Sequence, residues 1–333
     1  MTSVLVTGGT GFLAGWTIRR LLEKGYQVRT TVRTLKRADT VIQMLEQEGV
    51  DTSQLSFVAC DLTKEEGWIG AMQDIDYVLH LASPLGGDNH EDPSLIAIAK
   101  TGVEVVLSAA ITAGVKKVVM TSTEGANYPD KKETNPAINE NFWTDEHNKW
   151  ITNYMRSKII AEKRAWELIA QQSQTKLVTI LPGAIMGPYM AGKRSSTDQI
   201  IEMIFKGMPS PNAIYPVSDV RDLADLHILA MEKDQANGHR FIAQSEEMTM
   251  PQMAKLIKEH YPAYKISNLV IPDFLIALLA RFQAPMKVLN TMIGLHYHRD
   301  NSKAKHLLGW QPRPATETVL DTAAFLVDNK IVS

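Results

Sequence analysis

The sequence holds a single cysteine, Cys60, among 333 residues. One thiol forms no internal disulfide and no cysteine metal cage, so a disulfide-stapled scaffold and a zinc ribbon are both excluded. Excess charge of either sign is also missing: 35 Lys and Arg stand against 37 Asp and Glu, for a net charge of −2. Duplex nucleic acid needs a broad basic face, and none can be built from this balance. Long apolar runs are scarce. The most apolar later stretch, 268–282, contains Pro272 and Asp273 and falls short of the roughly 20 residues of a membrane-spanning helix. It reads as a buried or substrate-facing helix. No basic and apolar leader precedes Val4-Leu5-Val6, so no signal peptide is read there. The histidines are scattered without metal-ligand spacing, and no metal is expected. An apolar share of 44% with 22% charged residues excludes a disordered chain. The expectation is a cytoplasmic protein with a small-molecule partner, no membrane partner, and a monomeric or homodimeric state.

What is present is a regular alternation. Short apolar runs at Val4 to Val6, Val28 to Val32, Leu55 to Val58, Tyr77 to Leu81, Val118 to Met120 and Leu177 to Leu181 are separated by helical spacing, notably Leu95 to Ala113 and Tyr154 to Gln171. Continuous apolar strands between helices of this length predict a parallel sheet covered on both faces, and right-handed crossovers make it doubly wound. Beyond Pro182 the periodicity loosens. The expected division is a nucleotide-binding domain over 1–182, with 216–240 returning to it, and a smaller, mostly helical substrate lobe from 183–215 and 241–333.

The first strand runs into Thr7-Gly8-Gly9-Thr10-Gly11-Phe12-Leu13-Ala14. Gly8 suits a turn with positive φ. Gly11 lets the backbone approach a pyrophosphate at a helix N-terminus, where free N–H groups favour anions. Ala14 is small enough for close helix–strand packing. At the end of the second strand, where an acidic residue would bind the 2′-hydroxyl of NAD, stands Arg33, with Lys36 and Arg37 behind it. A guanidinium there fits a 2′-phosphate, which favours NADP(H). Asp61, after the third strand, either accepts a bond from the adenine amino group or caps the following segment.

Tyr154 and Lys158 lie four apart, hence on one helix face. A phenol with a free pKa of about 10 is a poor proton carrier at neutral pH, and the neighbouring ammonium is expected to favour the phenolate. Lys158 also reaches the nicotinamide ribose. The strand end Thr121-Ser122-Thr123 offers a hydroxyl for a substrate carbonyl oxygen. Met186, Tyr189 and Met190 are either a flexible pocket lining or core. The stretch 189–198 reads as a lid, and His80 as a packed, hydrogen-bonded histidine.

With these motifs in order, the chain resembles the extended short-chain dehydrogenases/reductases over nearly its whole length. It is most similar to the branch of dihydroflavonol 4-reductase, cinnamoyl-CoA reductase and microbial NADPH-dependent aldehyde and ketone reductases. His80-Leu81-Ala82-Ser83-Pro84, Asn139-Glu140-Asn141-Phe142-Trp143, Ser157-Lys158-Ile159-Ile160-Ala161-Glu162-Lys163, Pro182-Gly183-Ala184-Ile185-Met186-Gly187-Pro188 and Leu308-Gly309-Trp310-Gln311-Pro312 carry the likeness. The resemblance implies a Rossmann-type α/β fold and a catalytic set of Thr123, Tyr154 and Lys158. The family's serine falls on Thr123, and Ser122 takes the role if the register slips by one. It also implies cofactor contacts from Thr7, Gly8, Gly11, Phe12 and Leu13 at the pyrophosphate, Arg33 and Lys36 at the 2′-phosphate, and Asp61 and Leu62 at adenine. Ala82, Ser83, Pro182, Gly183 and Ile185 would lie around the nicotinamide. Ser83, Pro84, Met186, Tyr189 and Met190 would line the substrate pocket. The implied function is NADPH-dependent reduction of an aldehyde or ketone. Two alternatives are a sugar-nucleotide epimerase or dehydratase, which Arg33 disfavours, and a non-catalytic NADP(H) sensor, which the Tyr154–Lys158 pair disfavours.

Overall fold

The computed structural model describes the chain except residues 84–88, 130–136, 150, 191–194, 196, 284–285, 287–288, 291, 295–297 and 333. The strands are β1 (Ser3–Val6), β2 (Gln27–Val32), β3 (Leu55–Ala59), β4 (Tyr77–His80), β5 (Lys117–Thr121), β6 (Ala137–Ile138), β7 (Lys176–Pro182), β8 (Ala184–Met186), β9 (Ser210–Pro211), β10 (Ile214–Asp219), β11 (Arg240–Ala243), β12 (Glu247–Thr249), β13 (Val270–Ile271) and β14 (His298–Arg299). The main sheet has seven parallel strands in the order β11-β7-β5-β4-β1-β2-β3. The first strand thus lies where the winding reverses, and ligands bind at the carboxyl edge beside such a reversal.

Strand period places alternate residues on opposite faces, and the core shows it. Val4 and Val6 of β1 join one cluster with helix α1 (Phe12–Glu23) and the Val220–Glu232 helix, while Leu5 joins the opposite one. Both faces being covered explains why these strands are apolar throughout. The helices stop where positive φ is needed: Gly25 has φ 82° and Gly114 has φ 73°, values a side chain disfavours. The Ser94–Thr112 helix is long and apolar enough to cross a membrane by length and composition. In the fold its apolar residues cover the sheet, and it packs along the Asn153–Ile169 helix.

A third core gathers the later segments around a small sheet, β12-β10-β8, with helices Asp198–Phe205, Met250–His260 and Ala315–Asp328. Two arrangements differ from the expected division. β11 (Arg240–Ala243) completes the main sheet beside β7, and Ala304, Leu308 and Trp310 enter the first core. The helix within 268–282 also departs from the buried one of its two expected readings. Only Ile276 and Ala280, four apart on one face, are buried, while Phe274 is 74% and Phe282 80% exposed. One anchored face satisfies the packing, so the apolar run on the rest of that helix stays on the surface.

Candidate functional site

The glycine loop is built as a cradle. Gly8 has φ 76°, its N–H donates to Thr31 Oγ1 at 2.9 Å, and a Cβ there would stand 3.0 Å from Ala82. At Gly9 a Cβ would lie 2.4 Å from Thr30 Oγ1, so the loop is held flat against β2. Helix α1 begins at Phe12 after Gly11, with no side-chain cap and no acidic residue in its first turn. Its leading N–H groups are left to an anion, as the pyrophosphate of a dinucleotide requires. Thr7 is fully buried. Its hydroxyl bonds His80 Nδ1 at 3.0 Å and accepts the Ala82 N–H at 2.9 Å, tying the loop to the end of β4. His80 is the packed histidine expected, held down to about 3 by burial and by the charge of Lys158.

At the end of β2, Arg33, Lys36 and Arg37 are exposed, and their side chains make no hydrogen bond or ion pair among the described residues. Arg33 lies close enough to Asp61 to help hold its carboxyl below the usual range, though the larger causes are the Thr63 N–H and hydroxyl, both on Asp61 Oδ1. Asp61 therefore closes a local turn with one oxygen and keeps the other open. The next helix starts only at Trp68, so Asp61 caps no helix. The neighbouring Cys60 thiol is pushed up to about 11 by burial and is inert.

A small depression in the cleft beside the carboxyl edge is lined by Leu62, His80, Ala82, Ser83, Thr121 and Lys158 together with core residues of the covering helices, which brings adenine-side and nicotinamide-side candidates and Lys158 to one place; Tyr154 and Thr123 are not part of its lining. The Asn153–Ile169 helix is capped by Thr152, whose hydroxyl accepts the Met155 N–H. It sets Lys158 Nζ 5.9 Å from the Tyr154 ring centre. Burial pushes the Tyr154 phenol up to about 12, against the expectation that Lys158 would favour the phenolate. Loss of water outweighs a neighbour that is itself desolvated. Lys158 is pushed down to about 8 by burial, with Glu162 opposing.

The hydroxyls at the end of β5 are sharply distinguished. Thr121 donates to His227 Nε2 at 2.8 Å, because His227 Nδ1–H is committed to the Leu223 carbonyl at 2.7 Å. Ser122 is buried and donates to Glu162 Oε2 at 2.6 Å. Among the described residues the Thr123 hydroxyl only accepts, from the Gly125 N–H at 3.2 Å, so its proton is available. Gly183 allows the tight passage after β7, since a Cβ there would meet Pro216 O at 2.2 Å; its N–H donates to Ser218 Oγ. Ile185 is half-buried, and its carbonyl accepts from Ser195 and Thr197.

The set expected to line the substrate pocket is placed otherwise. Met186 and Met190 are buried in two separate cores. Tyr189 is buried between Phe12, stacked at 4.4 Å, and Phe325 at 4.9 Å. Apolar side chains with apolar partners within reach pack rather than line a void. Ser83 remains at the cleft. Pro84 and half of the expected lid, residues 191–194 and 196, lie outside the described residues. Sequence reasoning missed Glu162 and Arg240. Glu162 follows Lys158 by four residues, a spacing that could have marked it, whereas nothing local marks Arg240. Among the described residues no group of His, Cys, Asp and Glu is arranged to hold a metal ion.

Residues 4–243 match the NAD dependent epimerase/dehydratase family. The chain is 34% identical to tetraketide alpha-pyrone reductase 2 of Arabidopsis thaliana over 80% of this chain and 85% of that protein. It is 32% identical to cinnamoyl-CoA reductase 1 of Oryza sativa subsp. japonica over 78% and 76%. The crystal structure of yeast methylglyoxal/isovaleraldehyde reductase Gre2 complexed with NADPH superposes with a TM-score of 0.82 at 25% identity, covering 99% of this chain and 100% of that one. The chain belongs to the NAD-dependent epimerase/dehydratase family, the extended branch of the short-chain dehydrogenases/reductases. It is an oxidoreductase that uses a nicotinamide dinucleotide.

Proposed function

We propose that this protein is an NADPH-dependent reductase of aldehydes or ketones, with Tyr154, Lys158 and Thr123 as its catalytic groups. The observation that carries the reading is the state of the hydroxyls at the end of β5: among the described residues Thr121 and Ser122 are spent on His227 and Glu162, and the Thr123 hydroxyl alone of the three donates to no partner. Arg33 and Lys36 meet the 2′-phosphate. The uncapped start of α1, with Gly8, Gly11, Phe12 and Leu13, takes the pyrophosphate. Leu62, with the open oxygen of Asp61, faces adenine, and Ala82, Ser83, Pro182, Gly183 and Ile185 flank the nicotinamide. The bound cofactor supplies hydride to the carbonyl carbon. The Thr123 and Tyr154 hydroxyls hold the carbonyl oxygen as charge develops on it. Tyr154, kept protonated by burial, gives its proton to that oxygen. Lys158 anchors the ribose and stabilises the phenolate left behind. The later lobe around the third core is the substrate side, and the protein works in the cytoplasm on small molecules. The relatives named above support the reductase class.

The test is consumption of reduced nicotinamide with a panel of aldehydes, ketones and sugar nucleotides, with NADPH and NADH in parallel. Carbonyl turnover favouring NADPH is expected. Tyr154→Phe is expected to lower kcat by roughly a hundred- to ten-thousandfold while NADPH still binds. Full activity in Tyr154→Phe, or NADPH binding without turnover of any carbonyl, overturns the reading.

A further inference from the structure

Behind the catalytic helix lies a buried charge network for which the reaction itself has no use. Glu162 is fully buried. Its two carboxylate oxygens accept from Ser122 Oγ at 2.6 Å, Thr179 Oγ1 at 2.6 Å and Arg240 Nε at 2.9 Å, with Arg240 Nη2 at 3.3 Å and Trp166 Nε1 at 3.5 Å. Arg240, 7% exposed, donates in addition to the carbonyls of Glu140 at 2.8 Å, Phe142 at 2.7 Å and Ala126 at 3.4 Å. The Trp143 ring lies 3.6 Å from its guanidinium carbon. A buried carboxylate with this many donors is costly to move.

Two geometric facts point the network at the reaction. Tyr154, Lys158 and Glu162 are spaced by four along one helix, so they share one face. Ser122, the residue Glu162 grips, is the immediate chain neighbour of Thr123. Through Arg240 the same network also holds Ala126, at the far side of the Thr123 turn.

We propose that Glu162 is a positioning residue: anchored by Arg240, its carboxylate locks Ser122 so that the Thr123 hydroxyl is aimed into the cleft, and it presents a fixed negative charge one helical turn from Lys158. The proposal rests on the catalytic reading of Thr123, Tyr154 and Lys158. Among the described residues, the charges and titratable groups around Lys158 are Glu162 and Tyr154 on its own helix, His80 from β4, and Arg240 from β11, which is paired with Glu162. His80 is buried neutral, so Glu162 is the counter-charge that supports the ammonium, in line with its opposition to the burial effect on Lys158. Below about 8 Lys158 carries its charge. Carbonyl reduction therefore declines as pH rises through that value, and removing Glu162 moves the decline to lower pH.

The experiment compares Glu162→Gln and Ser122→Ala with the unaltered enzyme, using kcat, KM for NADPH and the pH profile of kcat/KM. Glu162→Gln is expected to lower kcat about a hundredfold, the cost of misplacing one reacting group, with KM for NADPH unchanged. Its alkaline limb should move down by about one pH unit. Ser122→Ala keeps the Glu162–Arg240 pair, so it should lower kcat by about tenfold and leave the alkaline limb in place. A merely structural Glu162 would lower the melting temperature with kcat per folded enzyme and the pH profile unchanged, and that result overturns the proposal. If Glu162→Gln does not fold, Ser122→Ala decides, and unchanged kcat in it overturns the positioning role. Tyr154→Phe runs beside them. Activity retained there sinks the catalytic reading itself, whatever the Glu162 variants do.

Discussion

The arginines of this protein occupy two opposite situations. Arg33 stands exposed at the end of β2, and neither it nor the nearby Lys36 and Arg37 is paired among the described residues. Arg240 and Arg299 are buried and paired, Arg240 on Glu162 at 2.9 Å and Arg299 on Glu124 at 3.2 Å. A guanidinium taken out of water is tolerable only with a carboxylate and carbonyls around it. One left in water at a strand end keeps its forked donors for whatever anion arrives. On the proposed reading the first kind shapes the site and the second kind selects the cofactor, and the two should fail differently when removed.

The largest effect is expected at Arg240. Arg240→Ala strands the Glu162 carboxylate and should cost about 3–5 kcal/mol of stability, read by denaturant unfolding. A loss under 1 kcal/mol would erase the contrast between the two sets of arginines. Arg33→Ala should leave the melting temperature unchanged and raise KM for NADPH roughly ten- to a hundredfold, the worth of hydrogen bonds to a charged group, with KM for NADH unaffected. An equal rise for both cofactors would mean that Arg33 does not meet a 2′-phosphate. The smallest effect concerns the buried groups able to shed their charge. His80 is held down to about 3 and His227 to about 4, both chiefly by burial. Their folded values lie below the unfolded one, so the stability they contribute is present above about 6.5 and is lost as pH falls toward the folded values. Between pH 7 and 5.5 each should cost about 1 kcal/mol. His227→Gln should flatten its share of that slope in thermal melts, and an unaltered slope would show that His227 binds protons alike in the folded and unfolded states.

The site was legible in unequal parts. The glycine loop, the basic end of the second strand and the Tyr154–Lys158 spacing are short-range patterns, and each lies where the strand and helix order predicts it. The choice between Ser122 and Thr123 was not legible, because both are hydroxyls at one strand end. It turns on a bond from Ser122 to a residue 40 positions away and on the His227 ring 106 positions from Thr121. Met186, Tyr189 and Met190 read equally as pocket or core until the fold supplies Phe12, Phe325 and Gly15 as neighbours. Burial of the Tyr154 phenol, and the upward push it causes, likewise depends on what surrounds the helix.

Periodicity along the chain carries strand, helix and turn, since those are set by each residue's own backbone and its near neighbours. From it came the doubly wound sheet, the anion-binding loop and the paired phenol and amine. Partners contributed by distant segments have no local signature. The return of 302–310 to the first core, the exposure of the 273–279 helix, the bond of Ser122 to Glu162 and the grip of Arg240 on Glu162 were decided only when the tertiary structure placed those segments together. Desolvation and hydrogen-bond pairing depend on which groups become neighbours in space.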